Sequence, residues 1–227
     1  PMEIKLKKDA RPYPNIRSRS YSAEQKVFIH KQIDELLSCG IIEPTTSEYV
    51  SPVLCVQRPE RKTTKWRLCV DHRLINQRVE VEKYPLSNLR EIVGTTQGAS
   101  IFCESDFCKG FWACQVHPRS RRYLCMLTPW GAYSTVRVPF GFCNSPAYFS
   151  RSVANSLCGI DNYIFFIDDV CLYAKNEQEM LRTLREFFQR IREVKFYLSP
   201  KKTELLAPKV VFAGHEISKQ GTRNSPS

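Results

Sequence analysis

The chain has 227 residues, 42% of them apolar and 11% aromatic, enough to bury a core and too apolar for a disordered polyelectrolyte. Its formal net charge is +11, which favours a polyanionic partner. No secretory leader is read and no apolar run approaches the roughly eighteen residues of a membrane span, so a soluble protein with no membrane partner is expected. The ten cysteines show no C-x-x-C and no paired Cys/His ligand spacing, so they read as reduced thiols of an intracellular protein, neither a disulfide framework nor a zinc site.

In chain order, residues 1–20 are basic and proline-bearing and are read as an extended arm. Ser22 followed by Gln25 is a capping box, and Ile29, Ile33, Leu36 and Leu37 mark one face of a helix that runs to Gly40. Val50–Val56 and Trp66–Val70 read as strands joined by a loop carrying Arg58, Arg61, Lys62 and Lys65, with Arg67 just beyond it. A short helix over Ser87–Val93 leads to a strand over Ile101–Glu104, with Asp106 at its end. Residues 111–117 and 122–138 read as further strands, with Pro129-Trp130-Gly131 as a turn. Ser145-Pro146 opens a helix to about Leu157. Asn176 and Glu179 cap another, whose stripe is Leu181, Leu184, Phe188 and Ile191. Strands around Leu205 and over Val210–Ile217 follow, and Gly221–Ser227 reads as a frayed end.

The run Tyr163-Ile164-Phe165-Phe166-Ile167-Asp168-Asp169-Val170-Cys171-Leu172 sets two adjacent carboxylates in apolar strand sequence. A tight hairpin with the pair at its tip is expected. Crowded carboxylates lose hydration and repel each other, which a raised pKa or a bound cation relieves. The alternative is a solvated Asp-Asp turn. The order strand, helix, strand hairpin, helix, strand from residue 101 is that of a split β-α-β sheet, which brings Asp106 beside Asp168 and Asp169.

Several ordered blocks resemble the fingers and palm of reverse transcriptases, most closely those of gypsy-type long-terminal-repeat retrotransposons. They are Gly40-Ile41-Ile42-Glu43-Pro44 with Ser51-Pro52-Val53, and Trp66-Arg67-Leu68-Cys69-Val70-Asp71-His72-Arg73-Leu74-Ile75-Asn76. Asp106-Phe107-Cys108-Lys109-Gly110-Phe111 and Val138-Pro139-Phe140-Gly141-Phe142-Cys143-Asn144-Ser145-Pro146-Ala147-Tyr148-Phe149 follow. Phe166-Ile167-Asp168-Asp169 and Phe212-Ala213-Gly214-His215-Glu216-Ile217-Ser218 complete the set.

The resemblance implies an α+β right-hand polymerase fold lacking its thumb. Residues 1–20 would be the arm, 21–100 mainly fingers, 101–222 mainly palm with fingers strands interleaved at about 112–138, and 223–227 a tail. It implies RNA-directed DNA polymerase activity with Asp106, Asp168 and Asp169 as catalytic metal ligands for two Mg2+ ions, Mn2+ being a substitute. Lys65, Arg67, Phe107, Phe111, Phe140 and Gly141 would contact the deoxynucleoside triphosphate, with Phe111 excluding a 2′ hydroxyl. Phe166, Phe212, Gly214 and His215 would contact primer and template. The implied partners are an RNA or DNA template with its primer, deoxynucleoside triphosphates, and the thumb, ribonuclease H and other Pol domains of a longer polyprotein in cytoplasmic virus-like particles. Phe166 stands where tyrosine is frequent in the family. The rival readings are a catalytically idle module of the same family that binds nucleic acid or a protein, and an RNA-binding ferredoxin-like sheet, which has no use for three acidic residues facing phosphate.

Overall fold

The structure is a computed structural model that describes residues 1–13, 16–57, 66–84 and 89–224. The loop residues Arg58, Arg61, Lys62 and Lys65, and Ser87 at the expected helix start, lie outside the described residues. The elements are α1 (Ala23–Ser38), β1 (Ile42–Thr45), β2 (Val50–Gln57), β3 (Trp66–Val70), α2 (Arg73–Arg78), α3 (Leu89–Gly94), β4 (Ile101–Asp106), α4 (Gly110–Ala113), β5 (Cys125–Thr128), β6 (Gly131–Thr135), α5 (Ser145–Ser156), β7 (Tyr163–Phe166), β8 (Asp169–Ala174), α6 (Glu177–Glu193), β9 (Glu204–Ala207), β10 (Lys209–Phe212), β11 (His215–Ser218) and β12 (Gly221–Asn224). They form two compact units, Pro1–Glu82 with Cys114–Ser145, and Lys83–Ala113 with Pro146–Ser227.

The first unit holds a sheet of order β1-β6-β5-β2-β3, in which β2 and β5 run parallel and the other pairs antiparallel. Its helix α1 starts at the expected capping box. Ser22 Oγ accepts from the Gln25 amide at 3.2 Å, and Gln25 Oε1 accepts from the Ser22 amide at 3.0 Å. The apolar face then buries Ile29 and Ile33 against Ile42, Val53 and Met126. The N-terminal segment is not a free arm. Met2, Ile4 and Leu6 alternate with Glu3, Lys5 and Lys7, a strand period, and Met2 and Ile4 are buried as Met2 bridges Val116 and Leu6 bridges Val79.

Residues 111–117, expected as a strand, divide into the short helix α4 and isolated bridges at Gln115 and Val116. Gly110 makes this bend possible. A Cβ there would lie 2.5 Å from the tip of the Phe149 ring, and that ring is itself fixed by its neighbours.

The second unit carries the β-α-β-β-α-β order, with an antiparallel sheet β7-β8-β4-β9. Helix α6 covers one face. Asn176 caps it through its side-chain oxygen, which accepts from the Glu179 amide at 3.0 Å. The buried stripe is Met180, Leu184, Phe187 and Ile191, whereas Leu181 and Phe188, expected in it, are 46% and 39% exposed. The doublets Met180-Leu181 and Phe187-Phe188 fit the helical period either way, and packing against β4 and β8 selects the first of each. Each fully buried side chain of this kind contributes about 1.5–3 kcal/mol.

The opposite face buries Phe102, Ile164 and Cys171 against Val93, Ala99, Val210, Phe212 and Ile217. Residues 89–100 therefore pack within the second unit. The stretch 210–217, expected as one strand, is a hairpin. Its turn residues Ala213 and Gly214 have φ of 47° and 82°, the left-handed pair a two-residue turn of type I′ requires. Gly221–Asn224, expected to fray, instead adds β12 as the edge of the sheet β10-β11-β12.

Candidate active site

The antiparallel register places Asp106, the last residue of β4, directly opposite Asp169, the first of β8. Directly paired residues share a sheet face with their Cβ atoms about 4.5–5.5 Å apart. Phe166 pairs with Asp169 across a two-residue turn of Ile167 and Asp168. Ile167 takes φ +57°, a costly setting for a β-branched residue, of the kind that persists where surrounding structure imposes it. The Phe107 amide donates to the Asp168 carbonyl at 2.9 Å and the Ser199 amide to the Asp106 carbonyl at 2.9 Å. The backbone therefore binds the end of β4 to the hairpin tip.

Asp168 Oδ1 is buried with no hydrogen-bond partner among the described residues. Burial, then the charges of Asp106 and Asp169, raise the Asp168 carboxyl above the usual carboxylate range. Burial and then Asp106 raise Asp169. These are not the properties of a solvated turn. Two further residues belong to the cluster. Lys202 Nζ donates to Asp106 Oδ2 at 2.6 Å. Glu104, two positions before Asp106 and hence on the same face, is pushed up to about 7 by burial, then by Asp169 and Glu204. A period-of-two reading of β4 would have found Glu104. Lys202 carries no sequence signal, because its segment is brought to Asp106 by long-range contacts, the Ser199 amide on the Asp106 carbonyl and the pairing of β9 with β4. Among the described residues no three His, Cys, Asp or Glu side chains are arranged to hold a metal ion as they stand. The expected convergence is thus a shared face and a common edge, with one carboxylate engaged by a lysine.

Beneath the carboxylates lies an aromatic cluster. The Phe107 ring meets those of Phe149, Phe165 and Phe196 at centroid distances of 5.6, 5.9 and 5.7 Å, and Phe111 meets Phe149 at 5.5 Å, all edge-on. Phe107 and Phe111 are 2% and 7% exposed. Phe107, expected at the nucleotide, has its ring in the core, so its backbone alone reaches the site. Phe111 is likewise a core ring.

In the first unit Arg67 is exposed on β3. Asn76 clasps the Phe140-Gly141 loop, its amide donating to the Gly141 carbonyl at 3.0 Å and its oxygen accepting from the Cys143 amide at 3.0 Å. Asn144 and Ser145 hold the rest, Asn144 by bonds to Glu80 and Glu82 and Ser145 by donating to the Pro139 carbonyl at 2.7 Å. Ser145 was expected to cap α5, but its hydroxyl is committed to that carbonyl. Phe140 is 37% exposed, and Gly141, at φ +84°, sits over the buried His72 ring. Asp71 is gripped by Arg73 at 2.6 and 2.7 Å and by Arg19 at 3.1 Å, and the Arg73 bonds chiefly hold its carboxyl down at about 2.

Of the residues expected at primer and template, Phe166 is half-buried, Gly214 exposed and His215 half-buried, while Phe212 is fully buried. Phe212 anchors its hairpin from inside, which a large apolar residue facing the sheet favours, and leaves the outward surface to Gly214 and His215.

A family model described as reverse transcriptase (RNA-dependent DNA polymerase) matches residues 58–217. The chain is 31% identical over 225 residues to the retrovirus-related Pol polyprotein from transposon 412 of Drosophila melanogaster, covering 96% of this chain and 18% of that protein. It is 30% identical over 206 residues to the enzymatic polyprotein of figwort mosaic virus, covering 90% and 31%. The chain thus spans less than a third of the length of these relatives. The foamy viral protease-reverse transcriptase in complex with an RNA/DNA hybrid superposes with a TM-score of 0.84 at 27% identity, over 96% of this chain and 29% of that one. The fold is the fingers-and-palm fold of polymerases expected from the sequence, and the chain belongs to the reverse transcriptase (RNA-dependent DNA polymerase) family.

Proposed function

We propose that this chain supplies the nucleotidyl-transfer centre of an RNA-directed DNA polymerase, adding deoxynucleotides to a primer 3′ end on an RNA or DNA template. The observation that carries the reading is the pairing of Asp106 with Asp169 beside the buried, unpartnered Asp168 Oδ1. An all-oxygen donor set with one oxygen unsatisfied fits a hard divalent ion such as Mg2+, with Mn2+ as a substitute. Asp106, Asp168 and Asp169 would hold two such ions, which when bound lower the pKa of an attacking hydroxyl and screen charge on the leaving group.

The chain's own residues do the positioning. The bond from the Phe107 amide to the Asp168 carbonyl fixes the hairpin tip against β4. Arg67 offers a planar fork suited to a triphosphate, and Lys65 is proposed as a second cation. The Asn76 clasp presents Phe140 and the glycine backbone of Gly141 to a base. Phe166, Gly214 and His215 face the primer and template. Phe111 would bar a ribose 2′ hydroxyl. Phe111→Val is expected to raise the efficiency with ribonucleotides relative to deoxynucleotides, measured as the ratio of kcat/KM values, and an unchanged ratio returns Phe111 to a purely core role.

A second reading, an idle module that only binds nucleic acid, draws on the Lys202 ammonium that engages Asp106. Primer extension separates the two. The chain, joined to the thumb segment of a related reverse transcriptase, is given a DNA primer on an RNA template with Mg2+ and deoxynucleotides. Templated extension supports the polymerase, and tight binding of the duplex with no extension supports the idle module.

A further inference from the structure

We propose that Lys202 is a built-in counter-cation of the carboxylate cluster, one that a divalent ion must dislodge, so that this side chain sets how much divalent ion the chain needs. The inference rests on the metal-site reading of Asp106, Asp168 and Asp169. Lys202 Nζ lies 2.6 Å from Asp106 Oδ2, a short charge-assisted bond. The lysine side chain is 64% exposed, so it has open solvent into which to withdraw.

Its backbone has no such freedom. Lys202 closes a 3₁₀ turn, Pro200–Lys202, between two attachments to β4. On one side the Ser199 amide donates to the Asp106 carbonyl at 2.9 Å. On the other, Thr203 Oγ1 is 2.7 Å from Ser105 Oγ, and Glu204 pairs with Glu104. Thr203 Oγ1 also bonds the Ser199 carbonyl at 2.8 Å and closes the turn on itself. The strand that carries Asp106 thus holds the lysine in reach, and exchange takes side-chain torsions alone.

The arrangement has a definite electrostatic consequence. In the metal-free cluster one positive charge offsets part of the repulsion among three carboxylates, with Glu104 adding a fourth acidic group on the same face. A divalent ion drawn to Asp106 meets that charge. Either the lysine withdraws, at the cost of its ion pair, or it stays and repels the ion. Both routes weaken ion binding relative to a chain without the lysine.

The test measures binding of Mn2+ alone to the whole chain, by titration calorimetry and by the loss of free Mn2+ paramagnetic resonance signal, with no nucleotide or nucleic acid. Lys202→Gln is expected to tighten Mn2+ binding about fivefold, the upper range for an exposed ion pair, and Lys202→Arg to stay near the parent. In chelator, Lys202→Gln is expected to melt below the parent, and the same change in an Asp106→Asn background to have no such effect, which a merely structural lysine would not reproduce. Equal or weaker Mn2+ affinity in Lys202→Gln overturns the proposal and leaves the metal site standing. Absence of Mn2+ binding in parent and variant alike overturns the metal-site reading and this inference with it.

Discussion

Asp168→Asn is expected to abolish primer extension while raising the melting temperature of the metal-free protein, two effects of one change with opposite sign. In the chain joined to the thumb segment of a related reverse transcriptase, extension should fall on the order of a thousandfold or more, because several kcal/mol of transition-state stabilisation depend on ligands of this kind. Asp106→Asn should lose as much. The stability effect follows from the raised Asp168 carboxyl. A group whose folded pKa lies above its unfolded value stabilises the fold below the unfolded pKa and loses that contribution as pH rises through the folded value. At neutral pH the ionised carboxylate, partly buried beside Asp106 and Asp169, therefore opposes folding. An asparagine of the same shape does not. Thermal melts in chelator, alongside steady-state extension assays, measure both effects. Equal melting temperatures would return the hairpin to a solvated turn, and extension within tenfold of the parent would remove Asp168 from the chemistry.

The second large effect concerns His72, which is 2% exposed and has no hydrogen-bond partner on either ring nitrogen among the described residues. Burial lowers it to about 4, with Asp71 opposing in part. Here the folded pKa lies below the unfolded value of about 6.5, so the stabilisation is present above the unfolded pKa and fades as pH falls through 6.5 towards 4. Between pH 7 and pH 5 the first unit should lose about 2 kcal/mol from this group. His72→Phe should remove that slope. The protein has three tryptophans, and in a Trp112→Phe background the two that remain, Trp66 and Trp130, both report on the first unit. Urea unfolding followed by their fluorescence at the two pH values, in parent and His72→Phe, gives the difference directly. Parallel pH profiles would show that His72 reaches water or a partner in solution.

The Asp168-Asp169 hairpin, the capping of α1 and α6 and the order of the second unit were legible because each depends on short-range chemistry. A carboxylate pair inside β-branched sequence, a serine three residues before a glutamine, and alternating strand and helix periods are all local. What escaped depends on contacts distant in sequence. The strand expected at Phe111 became a helix because Gly110 lets Phe149 approach. The stripe of α6 had two equivalent registers until β4 and β8 chose one. Phe107 and Phe212 were expected at the nucleotide and the primer, yet their rings are buried in the core, and a motif does not distinguish a side chain that would touch ligand from one that supports the backbone. Lys202 lies 96 residues from Asp106 in sequence, and no local pattern connects them.

The Asn76 clasp bears on how relatives of this chain can be recombined. Asn76 and the loop from Pro139 to Ser145 are separated by 65 residues at the Gly141 contact, yet one side chain satisfies a donor and an acceptor of that loop at once. A chimera that imports the loop from another member of the family while replacing Asn76 would strand two backbone groups, and a chimera cut between the blocks inherits the fault unseen. Exchangeable segments in this fold are therefore set by side-chain clasps between distant blocks, so crossover points chosen from strand and helix boundaries alone would cut through a working part.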